Sequence, residues 1–227
     1  MKYTSPVYSA ASGSIAGIVY SHNAGGLYTR ARAIPVQPNT VQQQAVKSNF
    51  ALISTRWAET LTPAQRAEWD NYAASVGLVN SLGATIYVTG RAHYIRGNAP
   101  RLLALLGVAD AGPTELSLPS FTPPTGVITA ATDVIAVTFT ATDEWAAEAG
   151  GAMLIFTSRP VPATVNSFAG PYRYASKIVG AVIPPTSPAE IPLSFPVVAG
   201  QKVYWRAVIV RADGRLSSSF RSGSLAV

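Results

Sequence analysis

The chain has 227 residues, 48% of them hydrophobic and only 12% charged, and a formal net charge of +6. That balance excludes an intrinsically disordered chain, which is charge-rich and apolar-poor. With no cysteine and two histidines, disulfides, thiolate chemistry, Cys-based metal centres and a multi-histidine metal site are excluded too.

No apolar run approaches the roughly 18 residues of a membrane span, so no transmembrane helix is expected. Met1-Lys2-Tyr3-Thr4-Ser5-Pro6 lacks the charged start and apolar core of a signal peptide, and a reducing cytoplasm is the expected place of synthesis. The charge is uneven. Residues 1–112 hold nine Lys/Arg against four Asp/Glu, a net of +5, and residues 113–227 hold eight against seven, a net of +1. No acid precedes Glu59. A basic half of this kind suits an acidic partner, but it has no dense Lys/Arg run of the sort that marks a nucleic-acid surface.

In chain order, Ile15, Ile18, Val19 and Tyr20 precede Ser21-His22-Asn23-Ala24-Gly25-Gly26, and Leu27, Tyr28, Arg30 and Arg32 follow. Two β-prone runs around Asn and Gly predict a hairpin. A strand pair this small is marginal alone, so it is expected to dock on the body or on a neighbouring chain. Pro35 and Pro38 then impose an extended stretch. Thr40 and Gln43 form a capping box that opens a helix, with Val46, Phe50, Ile53 and Trp57 as one apolar stripe. Thr62-Pro63-Ala64-Gln65 opens a second helix by the same chemistry, with Trp69, Tyr72, Ala73 and Val76 inward and Gly77 as its C-terminal cap. Leu61 is expected to pack under the turn between them. Residues 84–89 are a strand candidate. Residues 90–106 form a third helix, apolar at Ile95, Leu102, Leu105 and Leu106, which Pro100 is expected to kink or split and Gly107 to stop.

Residues 110–125 carry Gly112, Pro113, Pro119, Pro123 and Pro124 and predict a linker. Beyond it the period becomes strand-like, with runs at 134–139, 153–157, 177–182, 191–195, 202–210 and 215–219. Asp213-Gly214 is a hairpin turn signal before the last of these. Six or seven short strands with Pro/Gly turns predict an antiparallel sandwich.

Val203-Tyr204-Trp205-Arg206-Ala207-Val208-Ile209-Val210, followed by Asp213-Gly214-Arg215-Leu216-Ser217, resembles the last hairpin of fibronectin type III domains. The N-terminal half is similar to an uncharacterised family of tailed-phage and prophage proteins. The matching residues are Gly13-Ser14-Ile15-Ala16-Gly17, Gly25-Gly26-Leu27-Tyr28-Thr29-Arg30-Ala31-Arg32 and Pro38-Asn39-Thr40-x-x-Gln43. They continue with Trp57 and Leu61-Thr62-x-x-Gln65-Arg66-x-x-Trp69-x-x-Tyr72-Ala73. This second resemblance covers about residues 12–106. It implies a virion structural role and brings no catalytic residues with it.

Ser21-His22-Asn23 places a nucleophile type beside an imidazole, but neighbours in a strand point to opposite faces, so the reading is a turn. Asp143, Glu144 and Glu148 are the densest acids and the one candidate for glycoside cleavage; the preferred reading is a solvated loop. Asp133 and Asp143 lack a calcium-loop spacing. Gly13-x-x-x-Gly17 and Gly25-Gly26 match neither a P-loop nor a dinucleotide fingerprint, and suit close backbone approach. Tyr28, Arg30, Arg32, Arg91, Arg96 and Arg101, with Tyr94, pair cations with aromatics as in phosphate contact and stacking. Arg91, Arg96 and Arg101 step by about 140° each and share no helical face. Inter-subunit contacts are therefore the preferred use, with Tyr28, Arg30, Arg32, Arg91, Arg96 and Arg101 as partner-binding candidates. Trp57 and Trp69 are read as core, and one of Tyr204 and Trp205 is expected to face outward.

The expected fold is α+β: a β-arm and helical domain at 1–112, a Pro/Gly-rich linker at 113–125 and a fibronectin III/Ig-like β-sandwich at 126–227. The expected function is non-enzymatic. The chain is read as a structural protein of a tailed-phage virion, assembled in the bacterial cytoplasm. A head-associated decoration or cement role leads, with the N-terminal half on the capsid and the sandwich projecting. The alternative is a tail, neck or fibre component with a glycan- or host-binding sandwich. Expected partners are the major capsid protein or connector and tail proteins, in several copies, without nucleic acid, membrane, cofactor or metal.

Overall fold

A computed structural model describes residues 11–23, 26–36, 38–80 and 83–227. The chain divides into two compact units, Met1–Gln43 and Gln44–Val227. The architecture is α+β: among the described residues there are three α-helices and several antiparallel sheets, none of them closed into a barrel.

The first unit is a three-stranded meander rather than the expected single hairpin. Strands β1 (Gly13–Ile15), β2 (Ile18–Asn23) and β3 (Gly26–Ala31) pair in the order β1-β2-β3. Ile15 faces Ile18, and both loop residues between them take positive φ, Ala16 at 46° and Gly17 at 84°. Such a two-residue turn matches the twist of the flanking strands. The β2–β3 pairing brackets the expected turn, of which Ala24 and Gly25 lie outside the described residues.

Helix α1 (Val41–Thr55) starts on the expected box: Thr40 N donates to Gln43 Oε1 at 3.2 Å and Gln43 N to Thr40 Oγ1 at 3.3 Å. A π-type turn over Arg56–Thr60 leads to Leu61, which is buried as expected. Helix α2 (Pro63–Ser75) has the second box and Pro63 in its first turn. Trp69, Tyr72, Ala73 and Val76 are all buried. Gly77 takes no left-handed conformation. A Cβ there would meet the Thr85 methyl at 2.4 Å, so this glycine admits the small hairpin of β4 (Leu78–Val79) and β5 (Thr85–Ile86). The strand expected at 84–89 is confined to that pair.

Helix α3 (Gly90–Leu103) is capped by Thr89 and runs through Pro100 without splitting. It stops earlier than expected. Leu106 N bonds to Arg101 O and Leu105 N to Leu102 O, with Leu105 left-handed at φ 54°. This is the Schellman pattern, with leucine where glycine is usual. Gly107 is therefore not the stop.

Residues 113–125 are no loose tether. Gly112 N donates to Glu68, Pro113, Pro119 and Pro124 are buried, and the Ser117 carbonyl accepts from Tyr72 and Arg215. The helical segments and the sheets from Gln44 onward belong to one compact unit, and the chain divides at Gln43.

The sandwich has β6 (Thr125–Thr129), β7 (Val134–Thr138) and β11 (Ala189–Pro192) in one sheet, ordered β11-β7-β6. The other sheet is β10-β8-β12-β13, from β8 (Ala152–Thr157), β10 (Arg173–Val179), β12 (Gln201–Val210) and β13 (Phe220–Leu225). Short β9 (Val161–Pro162) continues the edge of β8 after a bulge: Thr157 faces Trp205 while Val161 faces Lys202, four residues against three. Three strands facing four, with chain crossings between sheets, is the fibronectin III/Ig-like arrangement. Strand alternation sends Met153, Ile155, Val203, Trp205, Ala207 and Ile209 into a core with Ile128, Ile135 and Val137. Trp205 is the inward member of its pair with Tyr204. The last strand is displaced from the expected 215–219 to 220–225, for a reason that bears on the site.

Candidate functional site

The six partner-binding candidates fall in three places. On β3, Tyr28 and Arg30 sit two residues apart and share a face, opposite Ser21 and Val19. Arg32 follows in the same alternation, its N–H bonded to Gly17 O at 2.7 Å. Tyr28 is half-buried, and Arg30 and Arg32 are exposed. Arg91 is exposed in the first turn of α3.

Arg96 and Arg101 go elsewhere, and the expectation that they face a partner is corrected. Arg96 donates to Leu216 O at 2.9 Å and Ser217 O at 3.2 Å. Arg101 is buried and donates to Gly107 O, Gly150 O and Arg211 O at 2.7, 3.2 and 2.5 Å. Burial lowers both pKa values from the ordinary arginine range. Charged donors on carbonyls form strong hydrogen bonds; the four to Leu216, Ser217, Gly150 and Arg211 hold α3 onto the sandwich, and the one to Gly107 braces the turn after the helix. The contact is close because two glycines meet. A Cβ on Gly97 would lie 1.9 Å from the Gly214 carbonyl oxygen.

The acidic cluster is engaged within the chain. Arg211 donates to Glu144 at 2.5 Å and Glu148 at 2.6 Å, and Asp143 accepts from the N–H and hydroxyl of Thr122. Arg215 joins Glu115 and Asp213. Asp110 accepts from Arg56 and from Tyr94 Oη, and the Arg56 hydrogen bond leads in holding its carboxyl below the usual range. Burial and that same carboxylate push the Tyr94 phenol up.

One concave region combines unpaired cations with hydroxyls. A cavity of about 220 Å³ lies where α3 meets the outer face of the larger sheet. Arg96, Arg206, Phe156, Leu154, Ser218 and Ser219 line it. Its shape comes from a bulge. Ser217 N bonds to Ile209 O, but Ala207 faces Phe220, so three residues of the last strand span two of β12. That bulge displaces β13 and puts Ser218 and Ser219 on the rim. Arg206 was not singled out in the sequence. The available signal is a charge in the middle of the longest apolar strand, on the face opposite Trp205.

The chain matches no known protein family, no curated protein and no solved structure.

Proposed function

We propose that this protein is a non-enzymatic structural component of a tailed-phage virion, which reaches neighbouring virion proteins with its N-terminal arm. The observation that carries the reading is the arm itself. Among the described residues no strand pairs with the outer edge of β1 or of β3, and Ile15, Ile34 and Val36 are 72%, 78% and 89% exposed. Open strand edges are templates for pairing with another chain. Arg30 and Arg32 stand exposed on an arm with no acid in its sequence, which suits an acidic groove on a capsid or connector subunit. The engagement of Glu144 and Glu148 by Arg211 weakens the competing hydrolase reading. The phage assignment rests on the resemblance of residues 12–106.

Cryo-electron microscopy of intact particles from the source tests this. Ordered copies on the shell lattice, with the arm lying across a neighbour, are the expected result for a decoration or cement protein. Copies confined to the tail or neck would replace that role with the tail-component reading. Absence from particles would overturn both. Deleting residues 1–34 is expected to abolish particle binding and to leave the thermal midpoint of the body nearly unchanged. Full binding by the truncated chain would overturn the arm's role.

A further inference from the structure

Two arginines stand directly opposite one another on the outer face of the larger sheet, Arg206 of β12 and Arg221 of β13. Like charges opposite each other across an antiparallel pair are destabilising. No acid offsets them. Among the described residues the ion pairs use Arg56, Arg211 and Arg215, and none uses Arg96, Arg206 or Arg221. The Arg206 guanidinium lies over the Phe156 ring at 4.4 Å and near Tyr172 at 5.7 Å. Its Nε is buried and makes no hydrogen bond. Burial first, and the Arg221 charge second, pull its pKa down. A desolvated donor without an acceptor, beside a like charge, is an arrangement that folding alone does not favour.

The surroundings supply what an anion needs. Arg96 lines the same cavity and spends two of its five donors on Leu216 and Ser217. Ser218 and Ser219 are exposed at the rim, and Pro100 and Phe156, both half-buried, form an apolar wall. Bulges of the kind that places these serines recur beside functional sites, where they re-aim side chains. We propose that this cavity binds a phosphate monoester. Its phosphate lies between Arg206, Arg96 and the rim hydroxyls, and its organic body lies against Pro100 and Phe156.

Donor counting selects the class. Two guanidinium groups with seven unspent N–H donors besides the buried Arg206 Nε–H, and no acceptor, match three terminal phosphate oxygens better than the two of a carboxylate. The charge of about −1.5 to −2 on a monoester at neutral pH also offsets two arginines better than a single negative charge. The cavity volume is below the roughly 300 Å³ at which drug-sized pockets begin, so a headgroup with a short body fits.

The test uses the full chain at constant ionic strength, with chloride as reference. Phenyl phosphate is expected to bind at least tenfold more tightly than benzoate. At about a hundred times its Kd it is expected to raise the thermal midpoint by about 5–10 °C. The Arg206 Nε–H resonance is expected to move on titration, a readout that needs no variant. In Arg206→Met the thermal response to phenyl phosphate is expected to vanish. A midpoint no higher than in chloride, with an unmoved Nε–H resonance, would overturn the proposal, as would an equal response in Arg206→Met. Equal affinity for benzoate would overturn the phosphate assignment. Tighter binding of a single-stranded oligothymidylate would move the site to a polymer backbone and overturn the monoester.

Discussion

The molecule contains two antiparallel β systems that share a local grammar and differ in what holds them. The arm sheet has a tight β1–β2 turn, β-branched residues and regular register, yet no described residue of β1–β3 is buried. The sandwich uses the same residue types, and Trp205, Ile209, Ile155 and Met153 are wholly enclosed between its two sheets. Strand formation is therefore local, while strand stability depends on a second layer. A small sheet without a covering layer is marginal in water, so burial supports the strands of the sandwich and does not support those of the arm.

The sharpest way to break this comparison is to remove matched side chains from each. Trp205 packs edge-on to Phe220 at 5.8 Å and against Gly126, and its indole N–H donates to Ser224 at 3.3 Å. Trp205→Ala is expected to cost about 3–5 kcal/mol. That lowers the thermal midpoint by about 2–4 °C per kcal/mol in a chain of this size. Ile15→Ala in the arm is expected to stay within about 0.5 kcal/mol. Similar losses at the two positions, measured by chemical denaturation, would erase the distinction.

Next in size is the seam that makes helices and sandwich one unit. Gly97→Val would drive a side chain into the Gly214 backbone, which also packs on Trp69. Neither side of the contact is a flexible side chain, so the cost is expected to exceed the usual overpacking range, at about 3 kcal/mol or more. Two separate transitions in calorimetry would show helices and sandwich uncoupled; a single lowered transition would show the seam strained but intact.

The seam also marks the limit of what local pattern reveals. Both capping boxes, the buried Leu61, the inner face of α2 and the change of period near residue 125 follow from neighbours within a few positions. The stripe of α1 was only half informative. Ile53 is buried, but Phe50 is 53% exposed, because periodicity identifies a face without saying what covers it. Arg96 and Arg101 were legible as unusual cations on α3. Their acceptors lie on loops more than a hundred residues away in part, so the sequence pointed outward when the structure turns them inward. The last strand was placed five residues early because Ser217–Ser219 read as strand and instead form a bulge. The cavity that bulge shapes was invisible for the same reason.

A smaller effect separates the helical layer from both sheets. His93 is buried against Tyr72, at 5.0 Å between rings, and its Nε2 has no hydrogen-bond partner. Burial first, then the Arg96 charge, lower its pKa from the ordinary value, and a backbone hydrogen bond with Val76 opposes them. The unfolded chain therefore binds a proton at higher pH than the folded one. Stability is expected to fall as pH drops below about 6.5 toward the lower folded value, and to level off below it. His93→Phe keeps an apolar ring and is expected to flatten that slope between pH 7 and 5. An unchanged slope would assign the acid sensitivity to other groups.

The smallest free energies belong to the arm, and hydrogen exchange reads them directly. Amides open locally with free energies from about zero up to the global stability, according to how much burial each opening sacrifices. In β12 an opening must expose Trp205, Ala207 and Ile209 and break pairing on both sides, to β8 and β13. Its amides are expected to exchange only by global unfolding. In β2 an opening also breaks two ladders, to β1 and β3, but exposes no buried apolar residue. Hydrogen bonds alone contribute little net stability in water, so β2 amides are expected to show protection of at most about 1–2 kcal/mol, although β2, like β12, is paired on both sides. Equal protection in the isolated protein would mean that the arm is stabilised by something other than a partner. Protection that rises only on incorporation into a particle would identify assembly as the step that supplies the missing second layer.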